Sequence, residues 1–262
     1  MNDLLITWHE SCDYPIFRYF IEKHHDHFNK IIIYFSKHFR EPYLSGFLKE
    51  SLHHIPNIQF LDPIEYKYGL EDWRNIATNY MLKHSTSEWV CSIEQDFFTK
   101  DWSALLKKSN EFMNECDMFG FMNGTIKPYV HPSFWFIKRA VLEKTSKDFS
   151  AHPEINGCDH FGMITYDVQS LGIPIVSIDD KGIKTDIKTP DTTDAFHLGG
   201  VNQNYLSGIS QNYFHRPDIF SVYNEMSART PVIQSPLFMN MINDVRRVLP
   251  YKEGSGWEVF FT

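Results

Sequence analysis

Long apolar runs are missing from this chain. No stretch approaches the ~18 residues needed to cross a bilayer, and the amino terminus has no basic segment followed by an apolar one. The pattern predicts a cytoplasmic protein with no transmembrane segment. Cysteine is scarce: Cys12, Cys91, Cys116 and Cys158 lie far apart with no CxxC pair. That spacing argues against a zinc knuckle or a disulfide framework and predicts reduced, mostly buried thiols. Positive charge is in deficit, with 25 Lys and Arg against 33 Asp and Glu and a net charge of −8. General affinity for a polyphosphate backbone is therefore not expected, although a local basic groove is compatible with the sum. GxxxxGK[ST], GxGxxG and GxSxG are absent too, which lowers the case for P-loop hydrolysis, dinucleotide redox chemistry and a serine-hydrolase elbow.

What is present is an apolar content of 42% with 22% charge, enough to build a core in a chain of 262 residues. Aromatic side chains reach 16%, an excess that suggests rings in pockets as well as in the core. Short β-branched and aromatic runs alternate with segments of helical period. Leu4 to Trp8, Ile31 to Phe35, Ile58 to Leu61 and Trp89 to Ile93 read as strands. Between them lie helical patterns at 14–28, at 43–53 and from Glu71 to about Ser85. Continuous apolar strands of this kind are covered on both faces. Further on come a helix at 103–114, strands at 117–122 and 134–137, helices from Arg139 and over 160–171, and a strand at 173–178. The fold class predicted is α/β, a Rossmann-related single domain with a mixed, mostly parallel sheet flanked by helices. Residues 179–194 are polar and read as a surface loop.

In open α/β sheets ligands settle outside the carboxyl ends of the strands. Glu94-Gln95-Asp96 falls at such an end. Residues two apart in an extended segment project to the same side, so Glu94 and Asp96 could approach one hard divalent cation, Mn or Mg, carrying a diphosphate. A solvated strand end with capping acids is the plainer alternative.

The segment Asp72-Trp73-Arg74-Asn75-Ile76-Ala77, followed by Ser87 to Phe98 with its Glu94-Gln95-Asp96, resembles the GT-A class of nucleotide-sugar-dependent glycosyltransferases, family-2-like in its block order. In that class an Arg-Asn helix precedes the strand that carries an acidic DxD motif. The resemblance implies that Asp96 is the metal-binding acid, with Glu94 in place of the first Asp. It also implies a nucleotide-sugar co-substrate bound with a divalent cation. A second matching block is Pro132-Ser133-Phe134-Trp135-Phe136-Ile137-Lys138-Arg139, followed by Gly157-Cys158-Asp159-His160-Phe161-Gly162. Here Asp159 matches the acid at the amino end of an acceptor-site helix, the general base in inverting members; a helix N-cap is the alternative role. The third block, Asp194-Ala195-Phe196-His197-Leu198-Gly199-Gly200, supplies His197 as the matching late metal ligand. An imidazole joins oxygen ligands more readily on Mn than on Mg.

Trp8, His9 and Glu10 follow the first strand, where the GT-A class holds base and ribose. Trp8 is placed to stack and Glu10 to accept ribose hydroxyls, with core packing of Trp8 as the alternative. Arg74 is a candidate nucleotide contact, or else an exposed helix arginine. His24, His25 and His27 lack the spacing of a metal site and read as a solvated face.

The function expected is transfer of a sugar from a nucleotide-sugar donor to an acceptor hydroxyl, with divalent-metal dependence. Residues 1–204 would form the catalytic domain and 205–262 an aromatic-rich carboxyl-terminal extension packing on it, on the acceptor side or as a lid. The acceptor is left open among a glycan, a protein, a lipid-linked sugar and a hydroxymethylated DNA base. The rivals are a sugar-nucleotide-forming nucleotidyltransferase and a non-catalytic sugar-binding module.

Overall fold

The computed structural model describes residues 2–8, 20–35, 49–50, 52–62, 64, 73–94, 97–99, 102–123, 128–152, 161–178 and 195–197. Nine strands are described: β1 (Asn2–Trp8), β2 (Phe28–Phe35), β3 (Ile58–Leu61), β4 (Trp89–Ile93), β5 (Phe97–Thr99), β6 (Met118–Asn123), β7 (Tyr129–Lys138), β8 (Ile175–Ser177) and β9 (Ala195–His197). The helices are α1 (Trp73–Leu82), α2 (Trp102–Phe112), α3 (Arg139–Leu142) and α4 (Gly162–Ser170). Seven strands make one sheet in the order β3-β2-β1-β4-β7-β6-β8, and β5 pairs with β9 in a separate ribbon. In the large sheet β7 runs against both its neighbours, while every other adjacent pair is parallel. The mixed, mostly parallel α/β sheet expected from the sequence is the one observed.

The pleat explains the apolar runs. Ile32 and Tyr34 of β2, Val90 of β4, and Trp135 and Ile137 of β7 join one cluster with Ala77 and Met81 of α1 and with Ile164 and Val168 of α4. On the other face Phe134 and Phe136 of β7 meet Phe97 and Phe119. Phe119 stacks on Phe136 at 4.7 Å and Phe97 on Phe134 at 5.0 Å. Helix α2 adds Trp102 and Phe112 to that layer. Five phenylalanines thus form a ring layer against one face of the sheet, where offset and edge contacts add to simple burial.

Away from the strands' carboxyl ends, the buried Asp3 of β1 accepts from Ser85 Oγ (2.8 Å), Ser87 Oγ (2.6 Å) and the Thr86 and Ser87 amides (2.8 and 3.1 Å). Burial pushes this carboxyl up, but the bonds from Ser87, Ser85 and Thr86 outweigh it and hold the group below its ordinary value. Arg139 braces the same turn through Ser87 C=O and Ser85 Oγ. The buried Cys91 thiol is pushed well up by desolvation and then by Asp3, as suits an inert structural cysteine. Cys116 is a half-buried thiol whose Sγ–H donates to Phe112 C=O at 3.3 Å, while Cys12 and Cys158 lie outside the described residues.

Several boundaries differ from the sequence reading. β7 starts at Tyr129 rather than Phe134, because Pro132 breaks the strand pattern yet sits in a bulge, where a missing N–H is tolerated. The two three-residue strands β5 and β9 are too short to show a period. Helix α4 begins at Gly162, with Phe161 as its N-cap and no side-chain capping bond; the N-cap role considered for Asp159 therefore falls to Phe161. The helix ends in a Schellman motif: Gly172 takes φ +71°, its N–H reaches Gln169 C=O, and Ile173 N–H reaches Val168 C=O. His24 is buried against Phe20 and Trp102 instead of solvated. No helix among the described residues is long and apolar enough to cross a membrane. The expected carboxyl-terminal extension, residues 205–262, lies outside the described residues.

Candidate functional site

An open cleft lies where β1 and β4 end, lined by Thr7, Arg74, Thr78, Glu94, Pro132 and Phe161 among others. Strand β4 delivers Ile93 to the rim and stops; Glu94 follows. Its N–H donates to Ser133 C=O of β7 at 2.9 Å, and its own carbonyl accepts from Phe97 N–H at 3.1 Å. The backbone of Glu94 is therefore held on both sides.

Helix α1 presents Arg74 and Thr78, one turn apart, to the same cleft. Arg74 Nη1 lies 2.7 Å from Glu94 Oε1, with the side chains only 18% and 16% exposed. The exposed-arginine alternative is thus replaced by a largely buried ion pair between two residues that the sequence reading treated separately. The next residue has a different task. Asn75 Oδ1 accepts from Phe149 N–H at 3.0 Å and from Asn79 Nδ2 at 2.9 Å, and Asn79 Nδ2 also reaches Lys147 C=O at 2.9 Å. Phe149 C=O then takes Phe161 N–H at 2.9 Å. The Arg74 wall and the Phe161 wall of the cleft are consequently hung on one loop. Phe161 adopts a left-handed backbone, φ 76°, an unfavourable state for a bulky residue that packing must enforce. Its ring is held by Trp135 at 5.0 Å and Phe149 at 5.1 Å.

The ribbon of β5 and β9 adds a long-range contact. Its register sets His197 opposite Phe97, the residue directly after Asp96. Two segments far apart in sequence, each with a residue picked out as a metal ligand, are thereby brought side by side. Trp8 ends β1 opposite Phe35; its side chain, like that of His197, is not among those described. His9, Glu10, Gln95, Asp96 and Asp159 lie outside the described residues. Among the described residues no group of three or more His, Cys, Asp or Glu side chains is placed to hold a metal. Thr7, Thr78, Ser92 and Phe161 escaped the sequence reading; Thr78 was accessible from the i+4 spacing to Arg74, whereas the others had no local signal.

The strand order, the single opposed strand and a cleft outside the ends of β1 and β4 define an α/β protein with a mixed, mostly parallel sheet and a cleft at its strand ends. No protein-family model matches the chain, and no curated protein does. Distant structural similarity is found. A mannosyltransferase from Pyrobaculum calidifontis, in complex with GDP-Man and Mn2+, is 12% identical, covers 94% of this chain and 75% of its own, and has a TM-score of 0.49. Staphylococcus aureus TarS 1-349 in complex with UDP-GlcNAc is 13% identical, with coverage of 94% and 80% and a TM-score of 0.44. HddC from Yersinia pseudotuberculosis is 12% identical, with coverage of 62% and 88% and a TM-score of 0.42. These similarities are too distant to assign a family or an activity.

Proposed function

We propose that the cleft binds a nucleotide-sugar donor and that the protein transfers the sugar to an acceptor hydroxyl with the help of a divalent ion. The observation that carries this reading is the β5–β9 register, which sets His197 beside the residue that follows Asp96. An aspartate carboxylate and an imidazole together make a donor set suited to Mn. Asp96 and His197 are the proposed ligands, and Glu94 is the second acid of the motif. Because Glu94 Oε1 already faces Arg74 at 2.7 Å, its first task is to aim the guanidinium into the cleft, where a planar cation suits a diphosphate. When bound, the ion supplies charge stabilisation to the departing nucleoside diphosphate. Asp159 is assigned the acceptor side: it takes the proton of the hydroxyl as that oxygen bonds to the anomeric carbon. Trp8, His9 and Glu10, beyond β1, are assigned to base and ribose.

The test is a panel of UDP-, GDP-, CDP- and dTDP-sugars incubated with Mn and no acceptor, with release of nucleoside diphosphate and free sugar as the readout. Turnover of at least one donor, lost in Asp96→Asn with an unchanged melting temperature, is the expected result. Full activity in Asp96→Asn removes the metal assignment. Pyrophosphate release from a nucleoside triphosphate and a sugar phosphate identifies the nucleotidyltransferase instead. Donor binding with no turnover, with or without acceptors, identifies a sugar-binding module.

A further inference from the structure

Beside the cleft, β7 is longer than the strand it pairs with. Gly120 of β6 pairs with Trp135 and Met122 with Val130, so residues 131–134 of β7 span the step that Phe121 alone spans on β6. The surplus forms an arch. Bulges of this kind bend a strand and re-aim its side chains next to functional sites. Pro132 of the arch lines the cleft, and Ser133 C=O is the group that fixes Glu94 N–H.

Within the arch His131 is 8% exposed and Ser133 fully buried. His131 Nδ1 lies 2.8 Å from Ser133 Oγ and 3.2 Å from Ser133 N. A backbone N–H only donates, so Nδ1 accepts; the hydroxyl, meeting the same lone pair, donates as well. The imidazole is consequently the tautomer protonated on Nε2. Phe121 holds the ring edge-on at 5.6 Å. One nitrogen thus grips Ser133 by its hydroxyl and its amide, while the carbonyl of the same residue grips Glu94.

We infer that His131 is a positioning residue of the cleft: its Nδ1 fixes Ser133, Ser133 fixes Glu94, and Glu94 fixes the Arg74 guanidinium. Its catalytic consequence rests on the donor-site reading above, whereas the hydrogen-bond relay does not. Asparagine carries its carbonyl oxygen two bonds from Cβ, as histidine carries Nδ1, and can accept the same two bonds. Glutamine places its oxygen one bond further out and cannot. The experiment compares wild type, His131→Asn and His131→Gln as full chains. The readouts are the side-chain tautomer by nitrogen NMR, hydrogen exchange at the Glu94 amide, melting temperature and donor KM.

The Nε2–H tautomer is expected in the wild type. Slow Glu94 exchange should persist in His131→Asn and be lost in His131→Gln, with donor KM near the wild-type value in the first and raised about tenfold in the second at similar kcat. An Nδ1–H tautomer overturns the inference. So does Glu94 exchange that is equal in the two variants, or that follows melting temperature alone. If the wild type turns over no donor, the functional reading fails, and the tautomer and exchange results still decide the role of His131.

Discussion

The buried pair of Arg74 and Glu94 makes a quantitative prediction. At 2.7 Å and an effective dielectric constant near 20, the gross attraction is about 6 kcal/mol. Desolvation of the two groups offsets most of it, so the pair as a whole contributes little net stability. Removing one partner is different, because the other is left charged in a largely closed site. For fully buried pairs that costs about 3–5 kcal/mol, and with about a sixth of each side chain exposed we expect about 2–3 kcal/mol for either Arg74→Met or Glu94→Gln. The double variant should cost no more than either single one, giving a coupling of about 2 kcal/mol. Urea unfolding of the four proteins measures it, provided the slopes agree. Single-variant losses that add to within about 0.5 kcal/mol in the double variant would refute the pairing and, with it, the assignment of Glu94 to holding Arg74.

Two other perturbations test the frame around the cleft. A Cβ on Gly120 would lie 2.7 Å from Phe134 O and 2.8 Å from Val130 Cγ1, so Gly120→Ala should push on the arch and cost about 1–3 kcal/mol; a melting temperature equal to wild type would show that the arch yields freely. Asp3 has a lowered folded-state pKa, so its stabilisation is present above the unfolded value near ~3.9 and is lost as pH falls through the folded one. Asp3→Asn should therefore be less stable than wild type at pH 7 by about 1.5–3 kcal/mol, and the gap should close below about pH 4; a gap independent of pH would contradict the hydrogen-bonded carboxylate.

Strand β4 shows where a sequence is legible. Trp89 to Ile93 reads directly as a buried strand and was observed with those bounds, because Trp89, Val90, Cys91 and Ile93 are all driven into the core. The core of β2 follows for the same reason, whereas the half-buried edge strand β3 was legible from its short apolar run. The arch in β7 was not legible: Pro132 and the polar His131 and Ser133 look like a break, and only the pairing of the residues on either side of them, Tyr129 and Val130 with β6 and Phe134 onward with β4, carries the strand through.

The sequence by itself determined the α/β class and the acidic strand end at Glu94, since periodicity and residue type are local properties and strands in such sheets end at the ligand side. Tertiary structure alone decided that Glu94 pairs with Arg74 and that His197 comes to lie opposite Phe97. Each of these is a contact between segments whose separation along the chain leaves no trace in either segment, and each exists only because the sheet fixes strand ends and helix starts in one place.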